Sequence, residues 1–203
     1  MRNKSTKIKK EEQRIKLLWK AIIPQMILLV ISTLWISFFP KDNIAIYLTN
    51  IKPVFILYGV CVGILLAFAG YFFYWISKKL DKNSPTVELF EKMLAPTFSI
   101  LKASDIFILS ITAGFAEEFF FRGLVLKSFG IVIASIAFGL LHLPGKRYWI
   151  YALWATLSGA LFGYLFLLTN CLWLPIIAHS INNIIGMFML KKVNKDLNQK
   201  HLD

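Results

Sequence analysis

Apolar residues in this chain fall into long charge-free runs separated by short polar punctuation. The first two, residues 21–39 and 54–76, are 19 and 23 residues long. At 1.5 Å per residue such runs reach across a bilayer, and neither shows the 3.6-residue alternation of a surface helix in water. Four further apolar stretches follow at about 105–125, 130–143, 148–168 and 172–190. The pattern predicts an all-α, polytopic integral membrane bundle of about six transmembrane helices.

Small residues mark two helix-contact faces, Gly59, Gly63 and Ala67 in the second run and Ala155, Gly159 and Gly163 in the fifth. The stretch 130–143 is short for a crossing, and a short or broken helix at membrane depth is tolerated where it is buried in protein or lines a wet cavity. It therefore points toward a site. Between the second and third runs, Ser84-Pro85 opens a short helix as N-cap and first residue. Val87, Phe90, Met93 and Leu94 share one face of that helix and Pro96 ends it, so it is expected to lie along the membrane surface, or to be a solvated linker helix.

Composition agrees with the pattern. The 203 residues are 57% apolar and 17% charged, with mean hydropathy +0.63, where a soluble domain has roughly 45–50% and about 25%. The net charge of +12 would suggest nucleic acid in a soluble chain. Its placement argues against that partner, since 8 of the 23 basic residues lie within the first 20 positions, next to the first apolar run. Such a cluster faces the cytoplasm and its anionic lipid. Both termini are accordingly expected in the cytoplasm, the other basic clusters being 78–102, Lys146-Arg147 and the tail. A cleaved signal peptide is the rival reading of this start, but the apolar run is too long and no small-x-small site ends it. Cys61 and Cys171 lie in or beside apolar runs and read as packing residues, not a disulfide. The expected organisation is a basic segment 1–20, two spans and an interfacial helix over 21–102, a helical core over 103–190, and a tail over 191–203 that includes His201.

Chemistry concentrates in that core. Between residues 104 and 190 the acidic residues are Asp105, Glu117 and Glu118, the last two within Gly-Phe-Ala-Glu-Glu-Phe-Phe-Phe-Arg-Gly, residues 114–123. Ionisable groups in a membrane span cost a few kcal/mol each and face a partner, a cavity or a site. Glu118 and Arg122 are spaced i,i+4 and can pair. Glu117 is rotated about 100° away with Phe121 at its own i+4 position, which leaves it as the candidate general base. His142, one turn after Phe138, ends the short stretch just before Pro144-Gly145. His179 has Asn183 at i+4, so both can aim at one substrate oxygen. These parts suit the addition of water to a carbonyl, and hence amide hydrolysis. There is no HExxH, GxSxG or paired-aspartate signature.

The set Glu117-Glu118-x-x-x-Arg122, Phe138-x-x-x-His142 and His179-x-x-x-Asn183 resembles the motifs of the CAAX prenyl protease and bacteriocin-processing (CPBP, or Abi) family of intramembrane proteases, which includes type II CAAX prenyl endopeptidases. All three motifs occur in order, while the N-terminal half carries no family signal beyond being membrane-spanning. The resemblance implies a helical bundle around a polar cavity. Glu117 would activate water that His142 helps to hold, His179 and Asn183 would bind the oxyanion, and Glu118 and Arg122 would keep Glu117 oriented. Phe138 would lend structural support. The family has been viewed both as glutamate proteases without a metal, the favoured reading here, and as zinc enzymes, for which Glu117, His142 and His179 would be the ligands. The implied partner is a membrane-embedded or lipidated peptide, of the CAAX or the bacteriocin or pheromone type. Two other classes fit the same residues: a non-enzymatic immunity or signalling partner, and a proton or metal transporter.

Overall fold

The computed structural model describes residues 2–38 and 44–199, with side chains from residue 8 onward. Lys41, Lys200 and His201 lie outside the described residues. The described chain is helical throughout, with α1 (Arg2–Phe38), α2 (Ile44–Thr49), α3 (Pro53–Leu80), α4 (Pro85–Glu88), α5 (Ala95–Ser99), α6 (Ala103–Phe120), α7 (Leu126–Leu141), α8 (Trp149–Thr169) and α9 (Trp173–Gln199). Two π-helical turns, Leu89–Leu94 and Phe121–Val125, join α4 to α5 and α6 to α7. It is a polytopic helical membrane protein.

Among the described residues five helices are long and apolar enough to span a bilayer: Ile8–Phe38, Pro53–Leu80, Ala103–Leu141, Lys146–Thr169 and Trp173–Gln199. Five replaces six because the stretches expected at 105–125 and 130–143 run on as one helical segment. That segment is broken at Gly130, whose φ of 84° and ψ of 169° are not helical. The residue is suited to the break, because a Cβ at positive φ clashes with the backbone.

The chain nonetheless traverses the bundle six times, as its polar contacts show. At one end Arg14 donates to both oxygens of Asp105 at 2.7 and 2.8 Å, and Lys78 pairs with Glu91 at 2.5 Å. Arg147 binds Glu88 at 2.9 Å and Lys191 binds the Leu101 carbonyl, both at that same end. At the other end Asn50 donates to Thr169 O, Trp173 Nε1 donates to Leu48 O, and Lys127 lies over the Tyr47 ring. Residues 105 and 147 therefore sit at one end and residue 127 at the opposite one, so α6 and the arm beyond Gly130 run in opposite directions.

Both small-residue stripes are helix contacts. A Cβ on Gly59 or Gly63 would come within 2.8 Å of Leu174 O or 2.6 Å of Ala178 O, so α3 lies directly on the backbone of α9. Side chains such as Leu57, Leu65, Phe68 and Phe72 point outward from α3. Cys61 is exposed on that helix too and does not serve the packing role expected of it, whereas Cys171 is buried.

The helix opened by Ser84 also departs from expectation. Its N-cap is present, with Val87 N–H donating to Ser84 Oγ at 3.4 Å. Pro96, however, does not end it. The wide turn Leu89–Leu94 sets Pro96 in the first turn of α5, where its missing N–H has no intrahelical acceptor to serve. The apolar face, with Val87, Phe90, Leu94 and Ala95, is covered by Tyr74, Leu190 and Val193. Met93 alone of the expected face stays exposed. The expected tail likewise begins as helix, since α9 runs on to Gln199.

Candidate active site

Glu117 and Glu118 occupy the last turn of α6, where the helix widens into the turn Phe121–Val125. π-helical turns of this kind recur at functional sites because they re-aim side chains on a fixed scaffold. Here the i,i+4 pair survives, with Arg122 Nη1 donating to Glu118 Oε1 at 2.8 Å, and both residues are fully buried at 0% and 1% exposure. Arg122 Nη2 donates to Gly159 O at 2.9 Å, and the guanidinium carbon lies 4.6 Å from the centre of the Phe138 ring and 5.5 Å from that of Phe162. A Cβ at Gly159 would stand 3.1 Å from Nη2, so the absence of a side chain there admits the arginine.

Glu118 holds a second partner that sequence spacing gave no sign of. Its Oε1 accepts from His179 Nδ1 at 2.8 Å, across 61 residues of sequence. His142 is fixed in the same way, with Nδ1 2.8 Å from Phe138 O. An acceptor at each Nδ1 places a proton there and leaves Nε2 as the ring atom available to the cavity. Both Nε2 atoms face Glu117 Oε2, at 3.6 Å from His142 and 4.0 Å from His179. That oxygen has no hydrogen-bond partner. Glu118 and Arg122, expected to orient Glu117, make their hydrogen bonds to each other, to His179 and to Gly159 O.

Rings complete the frame. Phe138 packs on His142 with centroids 4.4 Å apart, and Phe162 stacks on His179 at 5.6 Å. Exposure grades across the three groups, 29% for the His142 side chain, 16% for Glu117 and 5% for His179, so they form one wall of an accessible space. This is a cavity of about 350 Å³, which Asn183 also lines. Asn182 Nδ2 donates to Asn183 Oδ1 at 3.4 Å. The structure thus gathers Glu117, His142, His179 and Asn183 around one space, with Glu118, Arg122 and Phe138 behind them.

Among the cavity residues that escaped the sequence reading are Gln25 on α1, Tyr151 on α8 and Asn182 on α9. Gln25 left a signal, as the one carboxamide in the first apolar run. As for zinc, adjacent donors around a tetrahedral ion stand about 3.3 Å apart, less than the 3.6 and 4.0 Å separations here. Among the described residues no three His, Cys, Asp or Glu are disposed to hold a metal. Glu117, His142 and His179, the set expected for zinc, stand a few tenths of an ångström wider than tetrahedral donors do.

The chain is 24% identical over 183 residues to the uncharacterized protein YpbD of Bacillus subtilis (strain 168), covering 88% of this chain and 93% of that protein. No solved structure matches it. Residues 99–185 match the model of one protein family, and that segment holds every motif side chain around the cavity. Over residues 99–185 the chain is similar to the type II CAAX prenyl endopeptidase Rce1-like family.

Proposed function

We propose that the protein is an intramembrane endopeptidase that hydrolyses a peptide bond in a membrane-associated peptide, of the CAAX or the bacteriocin or pheromone type. The observation that carries this reading is the unpartnered Glu117 oxygen facing Nε2 of both histidines inside the cavity. A water between Glu117 Oε2 and His142 Nε2 donates one proton toward each, which directs its lone pair at a bound carbonyl carbon. Glu117 takes a proton as the C–O bond forms. The tetrahedral oxyanion accepts hydrogen bonds from the Asn183 amino group and from His179, which on this reading carries a proton on Nε2 as well as the Nδ1 proton given to Glu118. The C–N bond then breaks, and the proton held by Glu117 goes to the leaving amine. No step uses a metal ion.

The bilayer is the other partner, and both termini face the cytoplasm on this reading. The test is cleavage of fluorogenic membrane peptides, a farnesylated CAAX peptide among them, by the purified protein and its Glu117→Gln variant, with and without chelator. Cleavage that chelator leaves intact and Glu117→Gln lowers by about 10²–10⁴-fold is expected. Loss on chelation with recovery by zinc overturns the metal-free step, and equal cleavage by the variant overturns the role of Glu117.

A further inference from the structure

The cavity extends well beyond the catalytic groups, and its far wall contains a polar side chain that the mechanism leaves unused. Gln25 lies on α1, in the half of the chain without family motifs. It is 8% exposed, lines the same cavity as Glu117, and its Oε1 has no hydrogen-bond partner. A carboxamide costs free energy to bury in an apolar span, and an orphaned one keeps that cost unless a ligand meets it.

The register of the helices locates it. Arg14 binds Asp105, and Ala21 packs into the cluster formed around Leu109, so α1 and α6 run side by side in the same direction. Leu109, Ala113 and Glu117 line the cavity at four-residue intervals along α6. The Arg14–Asp105 contact sets Gln25 near the level of Ala116 and the Ala21 packing near that of Ala113, so it stands at most one turn, about 6 Å along the axis, from Glu117.

We propose that Gln25 is a substrate-binding residue, its carboxamide hydrogen-bonding a main-chain peptide group of the substrate within about two residues of the bond that is cut. The inference rests on the protease reading. The chemistry suits both sides, because a carboxamide offers one acceptor and two donors, as a peptide group offers N–H and C=O. A peptide entering this mostly apolar cavity loses water from both groups and needs partners for them. The spacing follows from extended peptide, which advances about 3.3 Å per residue, against a step of at most about 6 Å to Glu117.

The test uses the full chain in detergent, the peptide panel above, and analogues of whichever peptide is cleaved, in which an ester replaces one amide at a time. In wild type one ester within about two residues of the scissile bond raises KM about 3–10-fold, the effect of one neutral hydrogen bond. Gln25→Met raises KM for the all-amide peptide by the same factor with kcat little changed, and is indifferent to that ester. Gln25→Asn, which keeps a carboxamide on a shorter arm, falls between. Equal KM in wild type and Gln25→Met overturns the proposal, and so does a wild type indifferent to every ester near the cut, a result that needs no variant. If wild type cuts no peptide but binds a labelled one more tightly than Gln25→Met does, the protease reading falls and Gln25 stands. If neither protein binds any panel peptide, both fall.

Discussion

At position 118 a single carboxylate oxygen accepts from Arg122 and from His179, both at 2.8 Å, in a setting without solvent. Removing Arg122 leaves that charge buried with only an imidazole beside it, and breaking a buried pair costs about 3–5 kcal/mol. Arg122→Met is expected to lower the thermal midpoint of the purified protein steeply. The double variant Glu118→Gln, Arg122→Met recovers much of that loss because no lone charge remains. It stays impaired in cleavage, since a neutral amide holds His179 less firmly than a carboxylate. Thermal melts and peptide cleavage on the same samples check both halves, and full recovery of activity in the double variant would refute the positioning role. The Glu118–Arg122 pair was legible in the sequence because i,i+4 is a local rule. The Glu118–His179 bond was not, because it depends on how α6 and α9 dock, and neither was Gln25, whose meaning comes from the cavity it faces.

Helices were legible for a similar local reason, with charge-free runs setting their number and small-residue stripes setting their contact faces. Where continuity depends on one backbone conformation, the sequence was silent: nothing in the apolar pattern shows that 103–141 stays one helical segment with a break, or that Pro96 falls in a fresh helical turn. Gly130 gives the break a clean test. A Cβ there would meet no atom within 4 Å, so the cost of Gly130→Ala is backbone strain alone, about 1–2 kcal/mol at its φ of 84°. Gly186 on α9 is also open to a Cβ but has no positive φ, so Gly186→Ala is expected to stabilise by about 0.5–1 kcal/mol. The two substitutions should shift the unfolding midpoint in opposite directions. A stabilised Gly130→Ala would mean that the break is not required.

For the whole molecule, the basic residues divide unevenly between the two polar ends. Arg14, Lys78, Lys102, Arg147 and Lys191 all make contacts at the end where Asp105, Glu91 and Glu88 lie, while the opposite end has Lys52 and Lys127. Short loops rich in Lys and Arg stay in the cytoplasm, which predicts Asn83 inside and Ile51 outside. The cavity reaches from Glu117 toward the basic end, where Leu94, Phe98 and Val193 line it, and with the predicted orientation a substrate reaching Glu117 from that end comes from the cytoplasmic half of the bilayer. Single cysteines test this in a chain whose Cys61 and Cys171 have been replaced by serine and alanine. On intact cells a membrane-impermeant maleimide should label Ile51→Cys, while Asn83→Cys reacts only after permeabilisation. Arg147→Cys should follow Asn83→Cys, because the arm beyond Gly130 returns the chain to that end. Labelling of Arg147→Cys together with Ile51→Cys would mean that the arm does not return, leaving five traverses and termini on opposite sides. A full inversion, with Asn83→Cys labelled outside, would keep the six traverses and place the approach to Glu117 on the outer face of the membrane, where a cytoplasmic lipidated peptide could not reach it.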